Sequence, residues 1–181
     1  MAFHTVEHVR KMQENSDLSP QRRSPLRNKT VLVFLFIAGC VAPLAWSKDL
    51  AVVSNKGFEP APMTVGELAK ICKAEVKRWP DGKPVTFVTR NPDSPEMKIL
   101  VEKVYEMPAD DVMSLITAAN HGRTNRPAIV VVSSDQDVVR TVESTPGAVG
   151  VVDVYAITGG VSVVKVGGKL PLEAGYPLHG N

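Results

Sequence analysis

Apolar residues in this chain fall into short runs, separated by segments in which apolar positions recur every three or four residues. The short runs have the length of buried strands, and the recurring pattern is typical of helices that pack on one face. The pattern predicts strands at 50–54, 85–89, 128–132, 149–154 and 161–166, alternating with helices at 64–74, 94–105, 108–119 and 134–144. Such alternation predicts a single three-layer α/β domain with a mixed sheet flanked by helices.

Several of the predicted helices begin with recognisable N-terminal capping residues. Thr64 and Glu67 form a capping-box pattern. Ser94 can cap a helix whose first position is Pro95. The acidic residues Asp135 and Asp137 are attributed to capping and to the positive helix end, because they lie at a helix start.

Composition also predicts where two segments lie in the fold. The run at 128–132 is continuously apolar, which favours the middle of a sheet. The tail at 167–181 contains Gly and Pro throughout and is expected to lie over the surface.

The amino-terminal part has the pattern of an export signal. Residues 31–46 form an uncharged, mostly apolar run of 16 residues that follows Arg27 and Lys29. Pro43 and the small side chains at 45 and 47 then favour cleavage after Ser47. The sequence therefore predicts a leader at 1–47, with its apolar core at 31–46, ahead of a domain at 48–166.

Two alternatives to cleavage remain open. The apolar run could stay as a membrane anchor, although a spanning helix prefers about 20 apolar residues. Alternatively, the Ile-Ala-Gly-Cys sequence ending at Cys40 could be a lipoprotein cleavage site, with Cys40 as the lipidated residue. We expect a periplasmic or secreted protein, or one anchored facing the periplasm, whose only membrane contact is an uncleaved leader or a lipid.

Charge and chemistry exclude several functions. The leader holds six basic and three acidic residues, so the remaining chain carries a net charge of −1 out of a total of +2. A nucleic-acid surface is therefore not indicated. No Ser-His-Asp spacing, metal-ligand cluster or nucleotide-binding Gly loop is present, which favours a binding protein without a cofactor over an enzyme. Cys72 is expected to be a buried, inert thiol, because it lies in the apolar stripe of a helix.

Three stretches of the chain carry a family likeness. The first joins the strand at 50–55 and the helix at 64–73 to an Arg-Trp-Pro-Asp-Gly turn at 78–82, and the second is the loop at 88–95. The third is the Pro-Gly-Ala-Val-Gly sequence at 146–150. Together they resemble the phosphate-binding component of phosphate ABC transporters, including its small single-domain versions. This resemblance implies a lobe of the type 2 periplasmic binding protein fold. From the turn chemistry itself, Trp79 is expected to pack its turn onto the core.

The resemblance also implies a site. In the family, a strand-end Arg and a Ser at a helix start hold the phosphate, together with backbone N–H groups of that helix. Arg90 and Ser94 match these two residues, and Thr89 lies beside them. Pro95 and Glu96 replace the family's Gly-Thr, which removes one N–H donor and adds a negative charge. Both changes weaken an anion site.

A second group of basic residues could also attract an anion. Arg123 and Arg126 follow His121 in a loop, although such a loop is often simply solvated. The sequence therefore predicts an exported module that binds phosphate or a related oxyanion, for ABC transport or sensing, with a permease as partner. The alternative is a degenerate single lobe that acts as an envelope interaction protein without a small ligand.

Overall fold

The predicted strands all form in the computed structural model, which describes residues 48–123 and 125–180. They are Leu50–Asn55 (β1), Thr86–Arg90 (β2), Ile129–Val132 (β3), Ala148–Asp153 (β4) and Val161–Val164 (β5). The sheet has the order β3-β2-β4-β1-β5. β1 is antiparallel to both of its neighbours, whereas β2 is parallel to β3 and β4. The sheet is therefore mixed, as predicted.

Helices cover both faces of this sheet. The α-helices are Val65–Cys72 (α1), Lys98–Leu100 (α2), Ala109–Asn120 (α3) and Asp135–Ser144 (α4). α4 packs over one face, where Val138 and Val142 meet Val53 of β1. The other helices pack over the opposite face, around Val52 and Phe87. This arrangement confirms the three-layer α/β fold.

The helical segment at 95–105 is less regular than expected. It begins as a 3-10 turn at Pro95–Met97, continues as α2 and ends as a π-helix at Val101–Tyr105. Pro95 takes the first position, as predicted. The Ser94 hydroxyl does not cap the segment, because it donates to the Asn91 carbonyl at 2.7 Å.

β3 is an edge strand, so the prediction of a central strand at 128–132 is wrong. Val131 keeps 37% of its surface exposed. The apolar run has another cause, since α3 and α4 contact β3 from the two faces of the sheet. Helix cover makes a strand apolar without requiring a strand on each side.

The tail also differs from expectation, because two of its side chains are in the core. Tyr176 and Leu178 are buried, and the Tyr176 hydroxyl donates to the Leu50 carbonyl at 2.9 Å. The Leu50 N–H in turn donates to the Leu178 carbonyl at 3.1 Å. Buried Asp49 accepts from the Leu172 N–H at 2.7 Å. The tail therefore packs against the start of β1 instead of only lying over the surface.

The predicted leader, including Cys40, lies outside the described residues. Among residues 48–123 and 125–180, no helix has the length and apolarity needed to cross a membrane. Cys72 is fully buried, as predicted, and this burial raises the pKa of its thiol.

Candidate functional site

Arg90 lies at the carboxyl end of β2, where a neighbouring strand brings a carboxylate to it. β3 runs parallel to β2 and pairs Val132 with Arg90. Asp135 follows three residues later as the first residue of α4, so it reaches the same edge of the sheet. Arg90 Nη1 donates to Asp135 Oδ2 at 3.3 Å.

Glu96 supplies a second carboxylate to the same guanidinium. Its Oε2 lies 3.3 Å from Arg90 Nη2, and it belongs to the 3-10 turn that follows the β2 loop. The side chains of Arg90 and Asp135 are 18% and 14% exposed, compared with 38% for Glu96. One cation thus faces two anions, and Glu96 is the more solvated of the two.

Two buried polar atoms of this cluster have no partner. They are Arg90 Nε, a donor, and Asp135 Oδ1, an acceptor, and neither makes a hydrogen bond to any described residue. A buried polar group without a partner costs about 1–3 kcal/mol. The cluster is therefore suited to a ligand that both accepts and donates a hydrogen bond. No group of acidic, His or Cys side chains in the described ranges could hold a metal ion.

The other predicted ligands have local partners. Ser94 lies on the loop between Arg90 and Glu96, with its hydroxyl directed to Asn91. Thr89 is buried and its hydroxyl lies 3.5 Å from the Met97 sulfur, on the core side of the helical segment. The structure thus brings Ser94 to the Arg90 edge, while the Thr89 hydroxyl faces the core.

The second basic group, Arg123 and Arg126, lies at the opposite ends of the parallel strands from Arg90. Arg126 donates to the Pro146 carbonyl at 3.1 Å, and Pro146 precedes β4 just as the loop of Arg123 precedes β3. Both points are at the amino ends of the parallel strands. Since β2 is five residues long, about 15 Å separates the two edges. Arg90 and this basic loop do not form one site.

Asp135 is the site residue that sequence reasoning missed. Its neighbour Asp137 behaves as expected of a helix start, because the Ser134 hydroxyl donates to it at 2.7 Å. That hydrogen bond lowers the pKa of Asp137. Asp135 instead turns to Arg90. The sequence does show that Asp135 closely follows a strand. That position indicates a contact with Arg90 only once β3 is known to lie parallel beside β2.

The two turns with family likeness contact each other away from this site. Trp79 Nε1 donates to the Gly147 carbonyl at 2.8 Å. Gly147 has a φ of +78°, and a Cβ there would lie 2.7 Å from the Pro84 carbonyl oxygen. Trp79 is half-buried against the larger core cluster. The predicted packing role of Trp79 is therefore confirmed.

The class of protein follows from the fold and from a family comparison. A family model described as the PBP superfamily domain matches residues 39–175, so the chain belongs to that family. A comparison with curated proteins found no match.

Solved structures with a similar fold include proteins of phosphate transport. One is an ABC-type phosphate transport receptor from Vibrio cholerae, 18% identical, with a TM-score of 0.57 over 74% of this chain and 54% of the receptor. PstS from Borrelia burgdorferi is 17% identical, with a TM-score of 0.57 over 75% of this chain and 55% of its own.

A putative phosphate ABC transporter substrate-binding protein from Clostridium perfringens, solved with bound phosphate, is 18% identical. Its TM-score is 0.52, over 67% of this chain and 46% of its own. The chain thus spans about half the length of the structures it matches. At these identities the likeness shows the fold, which confirms the resemblance predicted from the motifs.

Proposed function

We infer that this chain is an exported binding module that takes phosphate, or a related oxyanion carrying a proton, between Arg90 and Asp135. The observation that supports this most is the pair of buried unpartnered atoms, a donor on Arg90 and an acceptor on Asp135. Binding is favoured over catalysis, because the cluster contains no nucleophile next to a base.

The chemistry of a phosphate ion near neutral pH matches both atoms. Its unprotonated oxygens accept from the planar guanidinium of Arg90. Its remaining hydroxyl donates to Asp135, whose carboxylate would otherwise repel the ligand. Sulfate offers only acceptors at this pH, so the site should favour phosphate.

Glu96 competes with the ligand for Arg90. It holds Nη2 in the structure, and it is the more exposed of the two carboxylates. An arriving anion must therefore displace Glu96 while Asp135 stays. Ser94 could assist by turning its hydroxyl from the Asn91 carbonyl to the ligand. For Thr89 to contact the ligand, its hydroxyl would first have to leave the Met97 sulfur. We expect modest affinity, because the ligand must compete with Glu96, which already pairs with Arg90.

Export and transport complete this proposal. The predicted leader would take the module to the periplasm or the cell surface. Two proteins of similar fold are a phosphate transport receptor and a putative substrate-binding protein of a phosphate ABC transporter. An ABC transporter permease is the partner that fits this class.

Calorimetric titration of the full chain with phosphate and sulfate tests the proposal. Wild type should bind phosphate more tightly than sulfate, and Arg90→Ala should weaken phosphate binding by about 1.5–3 kcal/mol. The matched control is Arg126→Ala at the other edge, which should leave the titration unchanged. If Arg126→Ala abolishes binding while Arg90→Ala does not, the basic loop is the site and the proposal fails.

A second candidate function is supported by the charge of the cluster. Arg90 is already compensated by two carboxylates, leaving a net charge of −1 among these three residues. Such a lobe could serve as an envelope interaction protein without a small ligand. No phosphate binding by wild type or by Glu96→Thr, together with co-purification of an envelope protein, would favour this function.

A further inference from the structure

The two outer strands of the sheet, β3 and β5, are protected in different ways. Just beyond the end of β5, another segment of the main chain continues the pairing. The Met63 N–H donates to the Lys165 carbonyl at 3.0 Å, and the Gly167 N–H donates to the Met63 carbonyl at 2.8 Å. In the described part of the chain, no strand pairs with the outer side of β3. An outer strand with open N–H and C=O groups can pair with another chain, so proteins usually protect it.

The register of β3 determines which of its backbone groups face outward. β2 and β3 are parallel, with Phe87 opposite Ile129. The Phe87 N–H donates to the Ala128 carbonyl at 2.9 Å, so this carbonyl faces β2. Because backbone groups alternate in direction along a strand, those of Val130 also face β2, whereas those of Ile129 and Val131 face away from it.

The side chain of Asn120, the last residue of α3, binds the outward groups of Ile129. Its Oδ1 accepts from the Ile129 N–H at 3.1 Å and from the Ala128 N–H at 2.9 Å, and its Nδ2 donates to the Ile129 carbonyl at 2.7 Å. One amide thus supplies both hydrogen bonds that a neighbouring strand would make with Ile129. Val131 is exposed, and its outward N–H and C=O make no hydrogen bond to another described residue.

These positions determine how two copies of the chain could join their sheets. Two β3 strands related by a twofold axis would run antiparallel. Their outward residues could then pair Ile129 with Val131 of the second copy, and Val131 with Ile129. Each such pair exchanges both of its N–H···O bonds. Because both pairs include Ile129, the Asn120 amide blocks every one of these bonds.

We propose that Asn120 closes the outer side of β3 and thereby prevents two copies of this chain from joining through that strand. The protection depends on one side chain, whereas the main chain protects the other outer strand. His121 and Gly122, which follow Asn120, are exposed, so little packing holds their loop over β3 once the amide is lost. This role is independent of the proposed function, because Asn120 lies at the amino ends of the parallel strands, away from Arg90.

Sedimentation velocity of the full chain tests this role. Asn120→Ala should lower the Kd of self-association at least about tenfold relative to wild type, because it uncovers the outward groups of Ile129. Adding Val131→Pro should return the Kd towards that of wild type, since proline removes an outward N–H that β2 does not use. The matched control is Thr117→Ala on the same helix, which should leave the Kd unchanged.

A cross-link tests the register of the pairing. In the antiparallel pair, Val130 would face Val130 of the second copy as a non-hydrogen-bonded pair, with Cα atoms about 4.5 Å apart. This distance allows a disulfide. In a Cys40→Ser background, Val130→Cys with Asn120→Ala should therefore form a linked dimer on oxidation, whereas Val130→Cys alone should not. The remaining thiol, Cys72, is buried.

Circular dichroism of each variant distinguishes pairing of folded chains from loss of structure. If Asn120→Ala is unstable, Asn120→Ser gives the same test, because its shorter side chain cannot bind both groups of Ile129. A purely structural role for Asn120 would lower the Tm without changing the association. The proposal is overturned if Asn120→Ala associates no more than wild type, if Val131→Pro does not reduce the association, or if Val130→Cys cross-links equally in both backgrounds.

Discussion

Two regions of this chain resemble the phosphate-binding family, and the structure shows that they differ in kind. Where the two turns meet, Trp79 is hydrogen-bonded to Gly147, and the chain completes the contact with its own atoms. At the carboxyl edge of the sheet, Arg90 is shared between Glu96 and Asp135, and one donor and one acceptor lack partners among the described residues.

The difference separates information about fold from information about function. The turn contact depends on shape, since a Cβ at Gly147 would press on a backbone carbonyl. A likeness at such a contact therefore indicates the fold. The Arg90 cluster keeps two buried polar atoms without partners among the described residues, so we expect substitutions there to affect binding more than the sheet. The replacement of the family's residues by Pro95 and Glu96 falls in this second region.

The largest effect is expected when the contact between the Trp79 and Gly147 turns is broken. Gly147→Ala should lower the free energy of unfolding by about 3 kcal/mol, because it combines a positive φ with a Cβ 2.7 Å from the Pro84 carbonyl oxygen. Gly122 has a similar φ of +73° but open space around it, so Gly122→Ala should cost only about 1 kcal/mol. Urea unfolding measures both. Equal losses would show that the close approach at Gly147 adds nothing.

The next effect concerns the choice of ligand at the Arg90 edge. Asp135→Asn should reduce the preference for phosphate over sulfate by about tenfold to 100-fold, because an amide can donate to sulfate where the carboxylate repels it. The control is Asp137→Asn on the same helix, whose carboxylate is held by Ser134. Competition calorimetry gives the ratios. A preference unchanged by Asp135→Asn would remove Asp135 from the site.

A smaller effect tests whether Glu96 competes with the ligand. Glu96→Thr should tighten phosphate binding by about fivefold, since it removes one negative charge next to Arg90 and releases Nη2. The gain should shrink at high salt, because Glu96 is partly exposed. Glu102→Gln, which breaks only the surface pair with Lys98, is the control and should leave the Kd unchanged. Weaker phosphate binding in Glu96→Thr would mean that Glu96 supports the site.

The sequence was sufficient for the layers of the fold but not for all neighbours within them. Alternating apolar patterns located each strand and helix, and the Thr64 capping box formed as predicted. The position of β3 at the side of the sheet was not predicted. An apolar strand indicates that its two faces are covered, but not whether another strand lies on each side of it. Tyr176 and Leu178 were missed because Gly and Pro around them suggested a surface path.

The site was predictable only where it is local in sequence. Arg90 and Glu96 are only six residues apart, at the two ends of one loop, so the resemblance was enough to predict that Glu96 would disfavour an anion there. Asp135 is 45 residues away from Arg90, and it arrives through the parallel pairing of β2 and β3. Single-sequence patterns contain no direct information about that pairing. Asp135 was therefore read correctly as a helix-start residue, while its contact with Arg90 was missed.

The smallest effect is expected at the start of α1, where Thr64 and Glu67 hydrogen-bond to each other in a capping box. Thr64 donates to Glu67 and holds its pKa below the ordinary value of 4.5. A carboxyl group whose pKa is lowered by folding stabilises the native state above its unfolded pKa and loses that contribution as the pH falls through its folded pKa. Glu67→Gln should therefore lower the Tm slightly at pH 7, and the difference from wild type should vanish in acid.

Thermal unfolding between pH 7 and pH 3 tests this expectation. The same substitution in a Thr64→Ala background is the control, because without the Thr64 hydroxyl part of the reciprocal capping box is gone and the pH-dependent difference should be smaller. A Tm difference that grows as the pH falls would contradict the sign derived from the lowered pKa. An identical pH dependence in both backgrounds would instead assign the effect to the Thr64 backbone N–H, which Thr64→Ala retains.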